Sequence, residues 1–384
     1  MKIIHHLKDV IQLLTMPREK RRLVFYSEGK TYWVHFEGII KELLKAYDIS
    51  VCYVSSDEND PGLQLEHRNY CKFKTDEGPV RNWLFENIKT DVMVMTMPDL
   101  HVHQVKRSKY GVHYVYVQHS PVSQHMIYNE KAFNHFDTIF CTGPHHVKEI
   151  REMEKEYGLT KKNLVEHGYG RLDAILEELG KLPIAKKSTN SPKHILLAPS
   201  WGQHCVIETV GMEVVDHLLG CGFQVTLRPH PQTVKNSNDN ITAIVNKYHS
   251  HPLFEIDTDM SSQESLHQSD ILISDWSGVG FDYAFGLGKP VLFIDVPRKV
   301  NNPRYAEIGI EPIEVSIRGL IGKIVSLNEI DKINEYIHAE NYFFDREVIA
   351  KKNIFNLSSS SRVGASSIKD IVETTAGIKI EGVF

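Results

Sequence analysis

The stretch ISDWSGVGFDYAFGLGKPVLFID, residues 273–295, decides how the chain is read. An apolar run ends in Ser-Asp-Trp-Ser-Gly, a short helical pattern stops at Gly-Leu-Gly-Lys-Pro, and a second apolar run begins at once. Two buried strands joined through a helix form a parallel unit, and open parallel sheets bind their ligands outside the carboxyl ends of the strands. The stretch therefore predicts an α/β architecture and names the edge of the sheet on which a site is to be sought.

Outward from it the alternation continues. On the amino-terminal side lie HILLAPS (194–200), FQVTLRP (223–229) and FEI (254–256), with helical patterns near 207–220 and 239–249 between them. Further back come LVFYS (23–27), ISVCYVS (49–55), DVMVMT (91–96), HYVYVQ (113–118) and DTIFCT (137–142), interleaved with helical runs such as TYWVHFEGIIKELLKAY and PHHVKEIREMEKEYG. Between the halves, LPIAKKSTNSPK (182–193) has the composition of a linker and no periodicity. The fold class expected is α/β, with two doubly wound Rossmann-like domains facing across a cleft. The boundaries are an amphipathic basic helix over 1–22, an acceptor-side domain over 23–185, a donor-binding domain over 186–330 and a helical segment over 331–384. No repeat of solenoid period occurs.

Composition narrows the function. With 41% hydrophobic and 24% charged residues among 384, the chain is that of a globular protein with enough length for two cores. A formal charge of −5 leaves no global footprint for nucleic acid, so an anion site must be local. The five cysteines, Cys52, Cys71, Cys141, Cys205 and Cys221, are scattered and form no Cys-x-x-Cys pair, which argues against a disulfide framework or a zinc site and for a reducing cytosol. Neither a membrane-spanning run nor a signal-peptide core is present.

Three strand ends in the second half carry polar groups: Ser200 in APSWG, Arg228 and His230 in LRPHP, Asp275 and Ser277 in SDWSG. In a parallel sheet these share one edge. Ser277 and the backbone N–H groups of Gly278, Val279 and Gly280 open a helix, either as a phosphate-binding terminus or as an ordinary Ser N-cap. His230, between two prolines, can hydrogen-bond a phosphate oxygen or be a satisfied turn histidine, and Arg228 two residues earlier favours the former. Asp275 has no second carboxylate at a ligand spacing and is expected to orient neighbouring donors or cap the turn. No Gly-x-Gly-x-x-Gly and no Walker lysine occur, which disfavours a dinucleotide or P-loop site.

ILLAPSWG, LRPHP and SDILISDWSGVGFDYAFGLGKPVLFID resemble the donor-site motifs of the CDP-glycerol glycerophosphotransferase family, the polyol-phosphate transferases of teichoic acid and capsule polysaccharide biosynthesis. VYVQHSP, FDTIFCTGPHHVKEI and HGYGRLDAIL stand in the order of that family's acceptor-side motifs, over roughly residues 110–315. The resemblance implies a GT-B fold. It also implies that His119 is the catalytic base, that His230 contacts donor phosphate, and that Ser277 is a donor-phosphate residue. Where the family has Trp-His-Gly this chain has Gln118-His119-Ser120, and Gly278 stands for the second Ser of the donor motif. Glu28, Tyr32 and His35 either line the acceptor cleft or belong to an ordinary strand-to-helix turn.

The expectation is a transferase that moves a polyol phosphate, glycerol phosphate first, from a CDP-linked donor to a hydroxyl of a cell-surface glycan or lipid-linked precursor, releasing CMP. His119 and His230 carry the chemistry. Ser200, Arg228, His230, Asp275, Ser277 and Gly278 hold the donor, with no cofactor and a divalent metal optional. The alternatives are a GT-B glycosyltransferase using a CMP- or UDP-sugar and a non-catalytic scaffold of a polysaccharide assembly complex. In residues 1–22, Ile3, Ile4, Leu7, Val10, Ile11 and Leu14 form one apolar helical stripe before the cluster Arg18, Lys20, Arg21 and Arg22. That stripe either lies in an anionic membrane interface or packs on the first domain or a second subunit. The expected location is the cytoplasm, either free or peripheral on the inner face of the cell membrane.

Overall fold

Buried apolar runs too short to be helices pair side by side, and here they make two parallel sheets, each in its own compact unit. The computed structural model describes residues 2–181, 191–236, 238–260, 262–339 and 345–381, so most of the linker, 182–190, lies outside the described residues. One unit comprises residues 1–173, 304–308 and 353–384, the other 174–303 and 309–352.

In the first unit β1 (Leu23–Ser27), β2 (Val51–Ser55), β3 (Tyr70–Lys74), β4 (Val92–Met95), β5 (His113–Val117), β6 (Thr138–Cys141) and β7 (Asn163–Glu166) lie in the order β3-β2-β1-β4-β5-β6-β7. In the second, β8 (His194–Leu197), β9 (Gln224–Leu227), β10 (Phe254–Ile256), β11 (Ile271–Ser274), β12 (Val291–Ile294) and β13 (Gly322–Val325) lie in the order β10-β9-β8-β11-β12-β13. All pairings are parallel. The inner strands β1, β4, β8 and β11 are buried along their whole length, as a parallel sheet covered on both faces requires. Each sheet reverses its direction of growth beside its first strand, between β1 and β4 and between β8 and β11. These are the switch points at which doubly wound sheets open a crevice.

The stretch 273–295 folds as β11, a turn, a helix and β12. The helix begins at Val279–Phe281 and continues in π-helical form through Asp282–Leu287. Gly288, at φ 66°, ends it in the left-handed region that glycine enters without steric cost. Gly280 seats the helix on β12, because a Cβ there would stand 2.8 Å from the Phe293 ring.

The carboxyl-terminal segment divides between the units. Ile333 and Ile337 join the core of the second, whereas the helix Ser360–Glu381 places Ala365, Ile368 and Val372 in the core of the first, beside Phe36 and Ile39. Its partner on that unit, the helix Trp33–Ala46, comes close to its first turn at Gly38, where a Cβ would meet Ser361 Oγ at 2.0 Å.

The amino-terminal helix forms over Lys2–Thr15, and its apolar stripe is split. Of the stripe, Val10 is fully buried, as is Leu13 beside it, packed towards β3 and the helix Pro79–Asn87, while Leu14 is half-buried, Ile4, Leu7 and Ile11 stay 70%, 40% and 45% exposed, and the side chain of Ile3 lies outside those described. The basic cluster is not the free cationic patch that its sequence suggests. Arg18 and Arg22 both bind the buried Asp91, at 2.8 and 2.9 Å, and Arg21 Nε donates to the Met16 carbonyl at 2.7 Å.

Candidate active site

In the first unit the site grows from the ends of β4 and β5. Thr96 follows β4, and its carbonyl lies 3.1 Å from His119 Nδ1, just beyond β5. A carbonyl can only accept, so Nδ1 carries the hydrogen and Nε2 of the neutral ring keeps its lone pair. The Tyr116 hydroxyl lies 3.0 Å from Nδ1 and the Tyr128 hydroxyl 3.4 Å from Nε2. The Tyr32 ring stands edge-on at 5.7 Å, His35 at 6.4 Å, and the Tyr169 hydroxyl donates to the His119 carbonyl at 3.1 Å. Tyr32 and His35 are thus brought to His119 by the turn and helix that follow β1.

Burial among these rings pushes the His119 imidazolium down to about 4, with the Thr96 carbonyl pulling the other way. The aromatic surround lowers it by removing water from the charged form. Near Tyr32 and Tyr116, burial raises the Glu28 carboxyl to about 7 against the pull of Arg81. The Gln118 amide and the Thr96 hydroxyl are buried with no protein partner among the described residues, which leaves polar groups in the wall next to His119.

In the second unit the site grows from the switch point between β8 and β11. Asp275, just past β11, accepts the Ser200 N–H at 2.6 Å and the Val206 N–H at 3.0 Å. Both carboxylate oxygens are spent on the loop after β8, so Asp275 acts as a brace, the turn-holding role foreseen for it. Ser277 Oγ receives the Val279 N–H at 3.5 Å, and the helix is capped by Gly278, at φ −60° and ψ −19°, with no side-chain capping hydrogen bond.

His230 follows β9, and its Nδ1 accepts the Gln232 N–H at 3.1 Å. In the neutral ring Nε2 then carries the hydrogen, the opposite tautomer to His119. The Trp201 ring lies 6.1 Å from the imidazole. Arg228, called a donor-binding residue from the sequence, is engaged inside its own unit. Nη1 reaches Ser265 Oγ at 2.6 Å and Asp257 at 3.2 Å, and Nη2 reaches the Ser262 carbonyl at 2.8 Å. This buried guanidinium ties the end of β9 to Asp257, Ser262 and Ser265, because a charge taken out of water must be paired where it lies. Among the described residues no group of three or more His, Cys, Asp or Glu side chains is placed to hold a metal ion.

Residues 11–297 match the model of the CDP-glycerol:poly(glycerophosphate) glycerophosphotransferase family. The chain belongs to that family. It is accordingly an enzyme of CDP-glycerol-dependent glycerophosphate transfer, with a GT-B-like fold. Among solved structures it is similar to the wall teichoic acid polymerase TagF, at 15% identity over 97% of this chain and 95% of that one, with a TM-score of 0.51. The UDP-GlcNAc 2-epimerase of Methanocaldococcus jannaschii matches at 14% identity over 91% of this chain and 99% of that one, TM-score 0.58. That of Neisseria meningitidis gives the same four figures. At such identities the likeness is one of fold. No curated protein matches the chain.

Tyr116, Tyr128 and Tyr169 around His119, the Thr96 carbonyl and Trp201 were not singled out from sequence, whereas Tyr32 and His35 were. Tyr116, three residues before His119 at the end of β5, was the available signal for the first. A backbone carbonyl leaves none.

Proposed function

We propose that this family member transfers glycerol phosphate from CDP-glycerol to a hydroxyl of a cell-surface glycan or a lipid-linked precursor of the teichoic acid kind, releasing CMP. The observation that carries the proposal is the pair of opposed tautomers. His119 presents an unprotonated Nε2, suited to take the proton of an attacking hydroxyl, and His230, whose Nδ1 accepts the Gln232 N–H and whose neutral ring is the opposite tautomer, is assigned to a phosphate oxygen of the donor. Attack falls on the β-phosphorus, the P–O bond to CMP breaks, and CMP leaves with the bridging oxygen. Ser200, Ser277 and the Gly278 N–H are assigned to the donor beside His230.

Positioning and electrostatics supply most of the rate in phosphoryl-type transfer, so the proposal assigns no resident metal, and a divalent ion would arrive with the diphosphate. A donor screen tests the reading. CDP-glycerol at about 100 times its Kd should add roughly 2.7 kcal/mol of stability, seen as a raised Tm, and UDP-GlcNAc should add none. The reverse order would favour a glycosyltransferase.

The work is assigned to the inner face of the cell membrane. Ile4, Leu7 and Ile11 remain as an exposed apolar line on the helix Lys2–Thr15 after Val10 and Leu13 are buried. With Arg18 and Arg22 held by Asp91, contact would rest on these apolar side chains more than on charge. Flotation with liposomes should be lost on replacing the three by serine.

A further inference from the structure

A donor diphosphate needs positive charge, and Arg228, the cation that the sequence offered, is committed inside its own unit. Another cation stands at the same end of the sheet. Lys299 lies in the loop after β12, and its ammonium sits 3.8 Å over the centre of the Trp201 ring. Trp201 adjoins Ser200 and lies beside His230, so one indole carries the ammonium on its face and the imidazole nearby. Half-buried, Lys299 makes no hydrogen bond or ion pair among the described residues.

The carboxylates within electrostatic reach do not answer it. Asp275 attracts Lys299 but gives both oxygens to the Ser200 and Val206 N–H groups, and Asp295 on the same loop binds Arg318 at 2.8 Å. Burial pushes the ammonium down to about 8, with Asp275 and Cys205 opposing. A partly desolvated cation with only a ring face for company is costly unless an anion completes its shell. Beside it, Gly202 at φ 113° has nothing within 4 Å of where a Cβ would stand, so the approach past Trp201 is open within this unit.

We propose that Lys299 is a donor-phosphate residue, whose ammonium, held over Trp201 beside Ser200 and His230, binds the diphosphate of the CDP-linked donor. The assignment rests on the donor role of the second unit. If Lys299 only fastened its loop to Trp201, its loss would lower stability and leave phosphate recognition untouched. As a phosphate ligand it makes donor affinity fall as pH rises through 8, because each binding event above that value must first protonate the amine.

Calorimetric titration with CDP-glycerol and with cytidine, from pH 7 to pH 10, separates these cases. Wild-type affinity for CDP-glycerol should fall by up to about tenfold per pH unit above 8. Lys299→Met should bind CDP-glycerol roughly 10- to 100-fold more weakly at pH 7, with no further fall to pH 10, and bind cytidine as the wild type does. Lys299→Arg should keep most of the affinity and lose the pH dependence, since a guanidinium does not titrate in this range. Lys299→Met binding CDP-glycerol with wild-type affinity and wild-type pH dependence, or losing cytidine to the same extent, overturns the assignment while the donor reading stands. Wild-type protein that binds no CDP-glycerol at any pH overturns both.

Discussion

At the residue scale, two histidines have their protons placed by backbone atoms. The Thr96 carbonyl puts the hydrogen of His119 on Nδ1, and the Gln232 N–H takes the Nδ1 lone pair of His230. Both positions were legible in the sequence through the motifs around them. Their tautomers were not, because the deciding partners are main-chain groups brought in by the fold, Thr96 from another strand end. Arg228 shows the converse: a cation at the right spacing whose charge is consumed by Asp257 and Ser265. His119→Ala should cost about 10²–10⁴ in turnover and leave donor affinity unchanged. His230→Ala should weaken donor binding by roughly 1.5–3 kcal/mol. His230→Gln, whose amide still donates, should recover part of that loss, whereas His119→Gln, which offers no base, should recover nothing; steady-state rates and calorimetry read both. The base must be neutral to work, so kcat/KM should hold as pH falls and drop only through about 4, the value of the buried imidazole.

At the element scale, legibility followed burial. Five strands of the first sheet were read as apolar runs, while β3 and β7 were missed, because an edge strand has one unpaired side and keeps polar residues. β3 buries Tyr70 and Phe73 alone, and β7 buries no residue fully. The stretch 273–295 was read in full, except that its helix passes into π-helical form from Asp282, a shift that no local composition marks. Gly280 holds this element on β12. Gly280→Ala would press a methyl against the Phe293 ring and should cost about 1–3 kcal/mol of stability. Because Ser277 and Gly278 open the same helix, donor affinity should fall with it; urea unfolding and donor titration on one sample check both, and an unchanged midpoint would mean that the ring yields freely.

At the scale of the whole molecule, the α/β class and the two sheets follow from alternation, while the return of Ser360–Glu381 to the first core depends on Gly38 and Ser361 meeting, residues far apart in sequence. The first unit also buries His35, His146 and His167 in neutral form: burial takes His167 to about 4 and the other two well below their usual value. Below pH 6.5 the unfolded chain takes up protons that these rings refuse, so stability is lost as pH falls from about 6.5 towards 4, on the order of 3 kcal/mol from His167 alone. Glu28, raised to about 7, works in the opposite sense, one carboxyl against several imidazoles. Urea midpoints at pH 7.5 and 5 should show the net loss. The central claim is the bond that the enzyme makes, and ³¹P NMR of the products from CDP-glycerol and a glycerophosphate-terminated acceptor tests it most directly. The account predicts one new phosphodiester resonance for each CMP released, absent with His119→Ala. A product without a new phosphodiester, or CMP formed with free glycerol phosphate alone, would contradict it.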